Sequence, residues 1–258
     1  MKTIVITSGK GGAGKTTVTA NLGLKLAKMG YRVGLIDGDI ELNNLDVLLG
    51  VEDKIVFDLK DAIIGRCRPK QALVESPLSQ NLYVLPCVHS LSGVEATAQR
   101  IKACICNFDT MFDYLLIDCP AGVDVGFHRA VSLADEALVV VTPDISAVRD
   151  ADKVLSILKT YKLNSIMLVV NRIRGDLVVD GEMYSPEDIS STLRTEIAGV
   201  IPDDDRILKG VLDAPTSADK AVKLLADKVR GKDRGNYDYL KKYTGFFGSI
   251  RREIRKRI

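Results

Sequence analysis

The stretch Ser8-Gly9-Lys10-Gly11-Gly12-Ala13-Gly14-Lys15-Thr16-Thr17 constrains this 258-residue chain more than any other. Gly9 to Thr16 satisfy the spacing GxxxxGK[ST]. An apolar, β-rich run from Thr3 to Thr7 leads in, and Leu22, Leu26 and Met29 follow at helical spacing. That order of strand, loop and helix is what a phosphate-binding turn requires. The glycines let backbone amides converge on phosphate oxygens without Cβ clashes, and the helix behind points its positive end at the anion. Lys15 would neutralise the β- and γ-phosphates of a nucleoside triphosphate such as ATP, and Thr16 would offer a hydroxyl to Mg2+. Gly11, Gly12, Ala13, Gly14 and Thr17 complete the binding run.

Lys10 stands too early in the loop for the usual phosphate-loop role. One way for it to reach a phosphate is across a dimer interface, supplying charge to the partner's γ-phosphate as an arginine finger does. The alternative is a solvated surface lysine.

Strand-like runs recur with helical patterns between them, at Thr3–Thr7, Arg32–Ile36, Leu82–Leu85, Tyr114–Ile117, Ala137–Thr142, Ile166–Val170 and Gly199–Ile201. Several are continuously apolar, as in strands covered on both faces. The expected architecture is α/β: a doubly wound, mainly parallel sheet flanked by helices, the P-loop NTPase fold. Residues 1–230 form the expected domain, 231–242 a linker and 243–258 a separate C-terminal helix. Five cysteines, an odd number, argue against a disulfide framework and suit a reducing compartment. The first residues read directly into a core strand, so no signal peptide is expected, and no apolar run approaches a membrane span.

Ligands of such sheets bind at the carboxyl ends of the strands, which singles out the residues there. After Ile36 come Asp37-Gly38-Asp39, where Asp39 is the candidate for aligning an attacking water or approaching the metal; an ordinary helix-cap loop is the other reading. The run Tyr114-Leu115-Leu116-Ile117 ends in Asp118, a carboxylate placed to hold Mg2+ opposite Thr16. Asn171 carries a donor and an acceptor side by side, suited to the edge of adenine, and Arg172 would stack on its face. Pro202 and Asp203, ending the last strand, would close that base pocket through their backbone. A plain turn at Asn171 and a solvated helix start at Asp203–Asp205 are the alternatives.

The loop Lys10-Gly11-Gly12-Ala13-Gly14-Lys15-Thr16-Thr17 resembles the deviant phosphate loop of the MinD/ParA ATPases, which carry the extra lysine. Leu35–Asp46, Leu115–Gly122, Ser146–Lys153, Asn171-Arg172 and Gly199–Asp203 extend the similarity, which is closest to the MinD branch. The resemblance implies an ATP-dependent homodimer sandwiching two ATP molecules, with Lys10 reaching across the interface, Asp39 aligning the water and Asp118 assisting Mg2+. It also implies that the helix around Val148–Leu158 receives a MinC-like division inhibitor and a MinE-like activator. Ala13 stands where valine is usual, and Glu41 and Asn43 stand where Gly and Arg are expected. These departures bear on partner contacts more than on hydrolysis, because no phosphate-binding group is lost.

The C-terminus reads as a basic amphipathic helix. Phe246, Phe247, Ile250, Ile254 and Ile258 share one face, and Lys241 to Ile258 hold seven Lys/Arg against one Glu. An anionic membrane surface is the expected partner, giving a cytoplasmic protein reversibly bound to the inner membrane face. A nucleic-acid arm is the competing reading, as in a ParA-like ATPase acting on DNA. An iron–sulfur carrier on the same fold is a third, invited by Cys87 and Cys119, although no CxxC pair occurs. The cluster Tyr237, Tyr239 and Tyr243 is expected to cover surface where the tail leaves the domain.

Overall fold

The computed structural model describes residues 1–38, 45–87, 97–120, 122–208, 210–211 and 215–245. Its elements run β1 (Lys2–Thr7), α1 (Lys15–Lys28), β2 (Val33–Asp37), α2 (Leu45–Leu49), α3 (Leu59–Ile63), β3 (Val74–Glu75), β4 (Leu82–Leu85), α4 (Ala98–Ile105) and β5 (Tyr114–Asp118). They continue with α5 (Val125–Val131), β6 (Glu136–Val141), α6 (Ile145–Leu158), β7 (Ser165–Ile173), α7 (Gly175–Val179), α8 (Pro186–Leu193), β8 (Ile197–Pro202), α9 (Asp205–Leu208) and α10 (Ser217–Val229).

The strands form one sheet in the order β3-β4-β2-β5-β1-β6-β7-β8, parallel except where β3 pairs antiparallel with β4. The seven strands expected from the apolar runs are all present; Leu82–Leu85 matches at both ends, and the ends of the others differ by no more than three residues. β3 is the addition: a two-residue edge strand is too short to show a period. β1 lies between β5 and β6, so the chain winds outward on both sides of it. The crevice beyond its carboxyl end is the topological switch point of such a sheet.

Each parallel strand feeds both faces. Val5 of β1 and Leu115 and Ile117 of β5 enter one core with α3, α4, α5, α6 and α8. Ile4, Ile6 and Leu116 enter the other, with α1, α2 and α10. Leu22 and Leu26 of α1 are fully buried there, and burying a side chain of that kind stabilises by about 1.5–3 kcal/mol. Lys25 of α1 pairs with Asp219 of α10, joining the two helices. The segment 231–245 is not detached from this body. Asp233 pairs with Lys228, Tyr237 packs on one core and Tyr239 on the other, and the Tyr239 hydroxyl donates to Glu187 at 2.8 Å. No described helix is long and apolar enough to cross a membrane.

Candidate nucleotide site

The loop leaves β1 at Ser8, which is buried and donates from Oγ to the Lys10 carbonyl at 2.7 Å, turning the chain back on itself. Gly9 passes so close to α6 that a Cβ there would stand 2.3 Å from the Asp150 carbonyl carbon, so the loop rests on that helix through backbone alone. Gly14 then enters α1 at φ +91°, a conformation that a side chain would strain. No described side chain caps this helix. Asp58, Thr97, Asp124, Asp144, Ser185 and Thr216 do cap α3, α4, α5, α6, α8 and α10 by accepting a first-turn amide. The first-turn amides of α1 are thus left for an anion. Gly11 and Gly12 are exposed, Thr16 and Thr17 half-buried, and Lys15 is only 8% exposed at the first position of the helix.

Asp118 ends β5 with 1% of its surface exposed, level with Ile6 of β1 on one side and Asp37 of β2 on the other. The Thr19 hydroxyl donates to Asp118 Oδ1 at 3.2 Å and lies 3.0 Å from the Lys15 carbonyl. Thr19 was absent from the sequence candidates. Its signal was the four-residue spacing from Lys15, which puts both on one helical face. Asp37 is buried and accepts from the Leu45 amide at 3.3 Å, tying the start of α2 to the site. Asp39 lies outside the described residues.

Lys10 is exposed and its ammonium donates to Ser146 Oγ at 3.1 Å. Ser146 in turn donates to Asp144 Oδ1 at 2.8 Å. Burial pushes the Asp144 carboxyl up, but hydrogen bonds from Thr142, Ala147 and Ser146, with the Lys10 charge, outweigh it and hold the group below its ordinary value. In the single chain, then, Lys10 is held by the start of α6. Sequence reading gave Asp144 and Ser146 no role in the site; the clue was a further carboxylate near a strand end, three residues after β6.

At the far side, β7 and β8 shift register between Val170 and Ile173, and Arg172 stands exposed at φ +60°. The Asp203 amide donates to the Ile173 carbonyl at 3.0 Å, bringing Pro202 and Asp203 beside Arg172. Asn171 is 4% exposed; its Nδ2 donates to the Ala13 carbonyl at 2.9 Å, and its Oδ1 has no partner among the described residues. The fold therefore brings the base candidates to the strand ends next to the phosphate loop, although one donor of Asn171 is already in use. Burial raises the Cys87 and Cys119 thiols to about 12, as for unreactive cysteines packed in a core.

The helix expected to receive partners, α6, forms with α8 a groove of about 300 Å³ lined by Ile145, Val148, Asp152, Ile189 and Leu193. Phe246, Phe247, Ile250, Ile254 and Ile258 lie outside the described residues.

Three comparisons bear on this arrangement. An AAA-domain family model matches residues 1–169. The septum site-determining protein MinD of Synechocystis is 40% identical over 259 residues, covering 97% of each chain. That of Bacillus subtilis is 40% identical over 261 residues, covering 95% of this chain and 97% of its own. Among solved structures, a MinC:MinD cell division complex of Aquifex aeolicus superposes with a TM-score of 0.82 at 40% identity, over 91% of this chain and 98% of that one. MinD of Pyrococcus horikoshii in complex with Mg-ADP gives 0.78 at 31% identity, over 89% and 96%. With its phosphate loop at the sheet's switch point and relatives matching nearly end to end, the chain belongs to the MinD family of septum site-determining P-loop ATPases.

Proposed function

We propose that this protein hydrolyses Mg-ATP as a homodimer, binds an anionic membrane while ATP holds the dimer, and so regulates where the division septum forms. The observation that carries the reading is the start of α1. An uncapped helix N-terminus behind a glycine turn, with Asp118 buried beside it, fits a magnesium triphosphate. Thr16 and Asp118 would hold Mg2+, whose charge offsets that of the phosphates. Gly11 to Thr17 bind the phosphates through backbone amides, Lys15 neutralises the outer ones, and Asp39 aligns the water that attacks the γ-phosphorus. Pro202 and Asp203 border the base, Arg172 stacks on it, and the unpartnered Oδ1 of Asn171 accepts from its amino group.

Lys10 completes the partner's site. To do so it exchanges Ser146 for the partner's γ-phosphate, which frees the start of α6 as the dimer forms. A helix that senses dimerisation in this way suits a MinC-like inhibitor and a MinE-like activator. The tail alone binds lipid weakly, because a short helix is marginal in water. Two tails on one dimer gain roughly a hundredfold by effective concentration, and hydrolysis releases both.

Two variants test the reading. Lys10→Ala should retain ATP binding but lose about a thousandfold in turnover, the scale of an arginine-finger loss, and stay monomeric with ATP in sedimentation. Normal dimerisation and turnover in that variant would remove the cross-interface role. Ile254→Glu should hydrolyse ATP yet fail to co-sediment with anionic vesicles; retained ATP-dependent binding would sink the membrane tail.

A further inference from the structure

Asn171 touches two parts of the site at once. Its Nδ2 donates to the Ala13 carbonyl at 2.9 Å and also stands 2.5 Å from where a Cβ on Gly14 would lie. A carbonyl oxygen accepts only from a donor, so the contact fixes which way round the Asn171 amide sits: nitrogen to the loop, Oδ1 to the other side. The backbone beneath is held firmly, since β7 is bonded to β6 through six residue pairs from Glu136 and Ser165 to Val141 and Val170.

We propose that Asn171 is a positioning residue for the phosphate loop. The Ala13–Gly14 peptide is planar and trans, so a carbonyl drawn towards β7 turns the Gly14 N–H away from it. One side chain therefore sets the direction of an amide in the glycine turn. It does so from the strand end that faces the base, and the amide orientation the loop imposes leaves Oδ1 as the acceptor there. That acceptor is buried and unpartnered. It suits the amino group of a 6-aminopurine and opposes the carbonyl that guanine carries at the same position. Phosphate geometry and base choice thus share one residue. The inference rests on the reading of Ser8 to Thr17 as the phosphate site.

A ligand without a base separates the two roles. Calorimetric titration with Mg-tripolyphosphate and with Mg-ATP would be run on the natural chain, Asn171→Ala and Asn171→Leu; leucine keeps the volume and removes the donor. Both variants are expected to bind tripolyphosphate about tenfold more weakly, the equivalent of one lost hydrogen bond. Amide exchange at Gly12 to Thr16 should also quicken in the unliganded variants. Should the alanine variant fail to fold by circular dichroism, the leucine variant carries the comparison. Unchanged tripolyphosphate affinity and unchanged exchange, with only ATP weakened, would overturn the proposal and leave Asn171 a base contact. If the natural chain bound neither ligand, the phosphate-site reading would fall first, and this inference with it.

Discussion

At the scale of single residues, the site depends on groups that no motif names. Thr19 is fully buried, and its hydroxyl is shared between the Asp118 carboxylate and the Lys15 carbonyl. Replacing it by valine keeps the volume and the β-branch but withdraws a donor from a buried charge. A hydrogen bond to a charged group contributes about 1.5–3 kcal/mol, so Thr19→Val should lower the unfolding free energy by that order in a urea titration. It should also shift the Mg2+ dependence of ATP turnover to higher concentration, because Asp118 loses one of the contacts that orient it. An unchanged Mg2+ profile would show that other contacts suffice to place the carboxylate.

At the scale of elements, α1 and α6 differ by design of their first turns. α1 starts at a glycine with no described side-chain cap, and α6 starts at Asp144, whose carboxylate accepts from the Ala147 amide at 2.9 Å. Because that carboxyl is held below its ordinary value in the folded chain, its contribution is complete above the unfolded pKa of about 3.9 and is lost as the pH falls through the lowered one. Asp144→Asn should accordingly flatten the acid limb of stability measured by urea midpoints across that window, with little change near neutrality in the pH dependence. The variant would also loosen Ser146, and with it the hold on Lys10.

At the scale of the whole molecule, the C-terminal segment connects the site's edge to the tail. A Cβ on Gly175 would stand 2.2 Å from the Tyr239 carbonyl oxygen and 2.7 Å from the Tyr243 ring, and Lys242 donates to Ser217 at the start of α10. Tyr239, Lys242 and Tyr243 are therefore fitted against the starts of α7 and α10. Gly175→Ala should push them off, lowering stability by about 1–3 kcal/mol, the usual scale of overpacking. Tryptic cleavage at Lys241 and Lys242 should quicken while the sheet remains folded by circular dichroism. Equal cleavage rates would mean that the segment accommodates the methyl group.

The local signals in the chain were strong enough to specify its parallel strands and its glycine loop. Glycines at fixed offsets before Lys15, and apolar runs ending in Asp118 and Asn171, are properties of neighbouring residues, and backbone sterics act over that range. Residues 231–242 have turn-like composition and a tyrosine cluster suited to covering surface, but which surfaces Tyr237 and Tyr239 meet, α8 and the two cores, no local pattern could announce. Long-range pairing alone decided the rest. Lys10 meets Ser146 across 136 positions, Thr19 meets Asp118 across 99, and Asn171 meets Ala13 across 158. Those contacts exist because parallel crossovers bring the ends of β1, β5, β6 and β7 to one edge. The chain's periodicity dictates that there are such strands, but their order in the sheet is settled only when the two apolar faces are buried together.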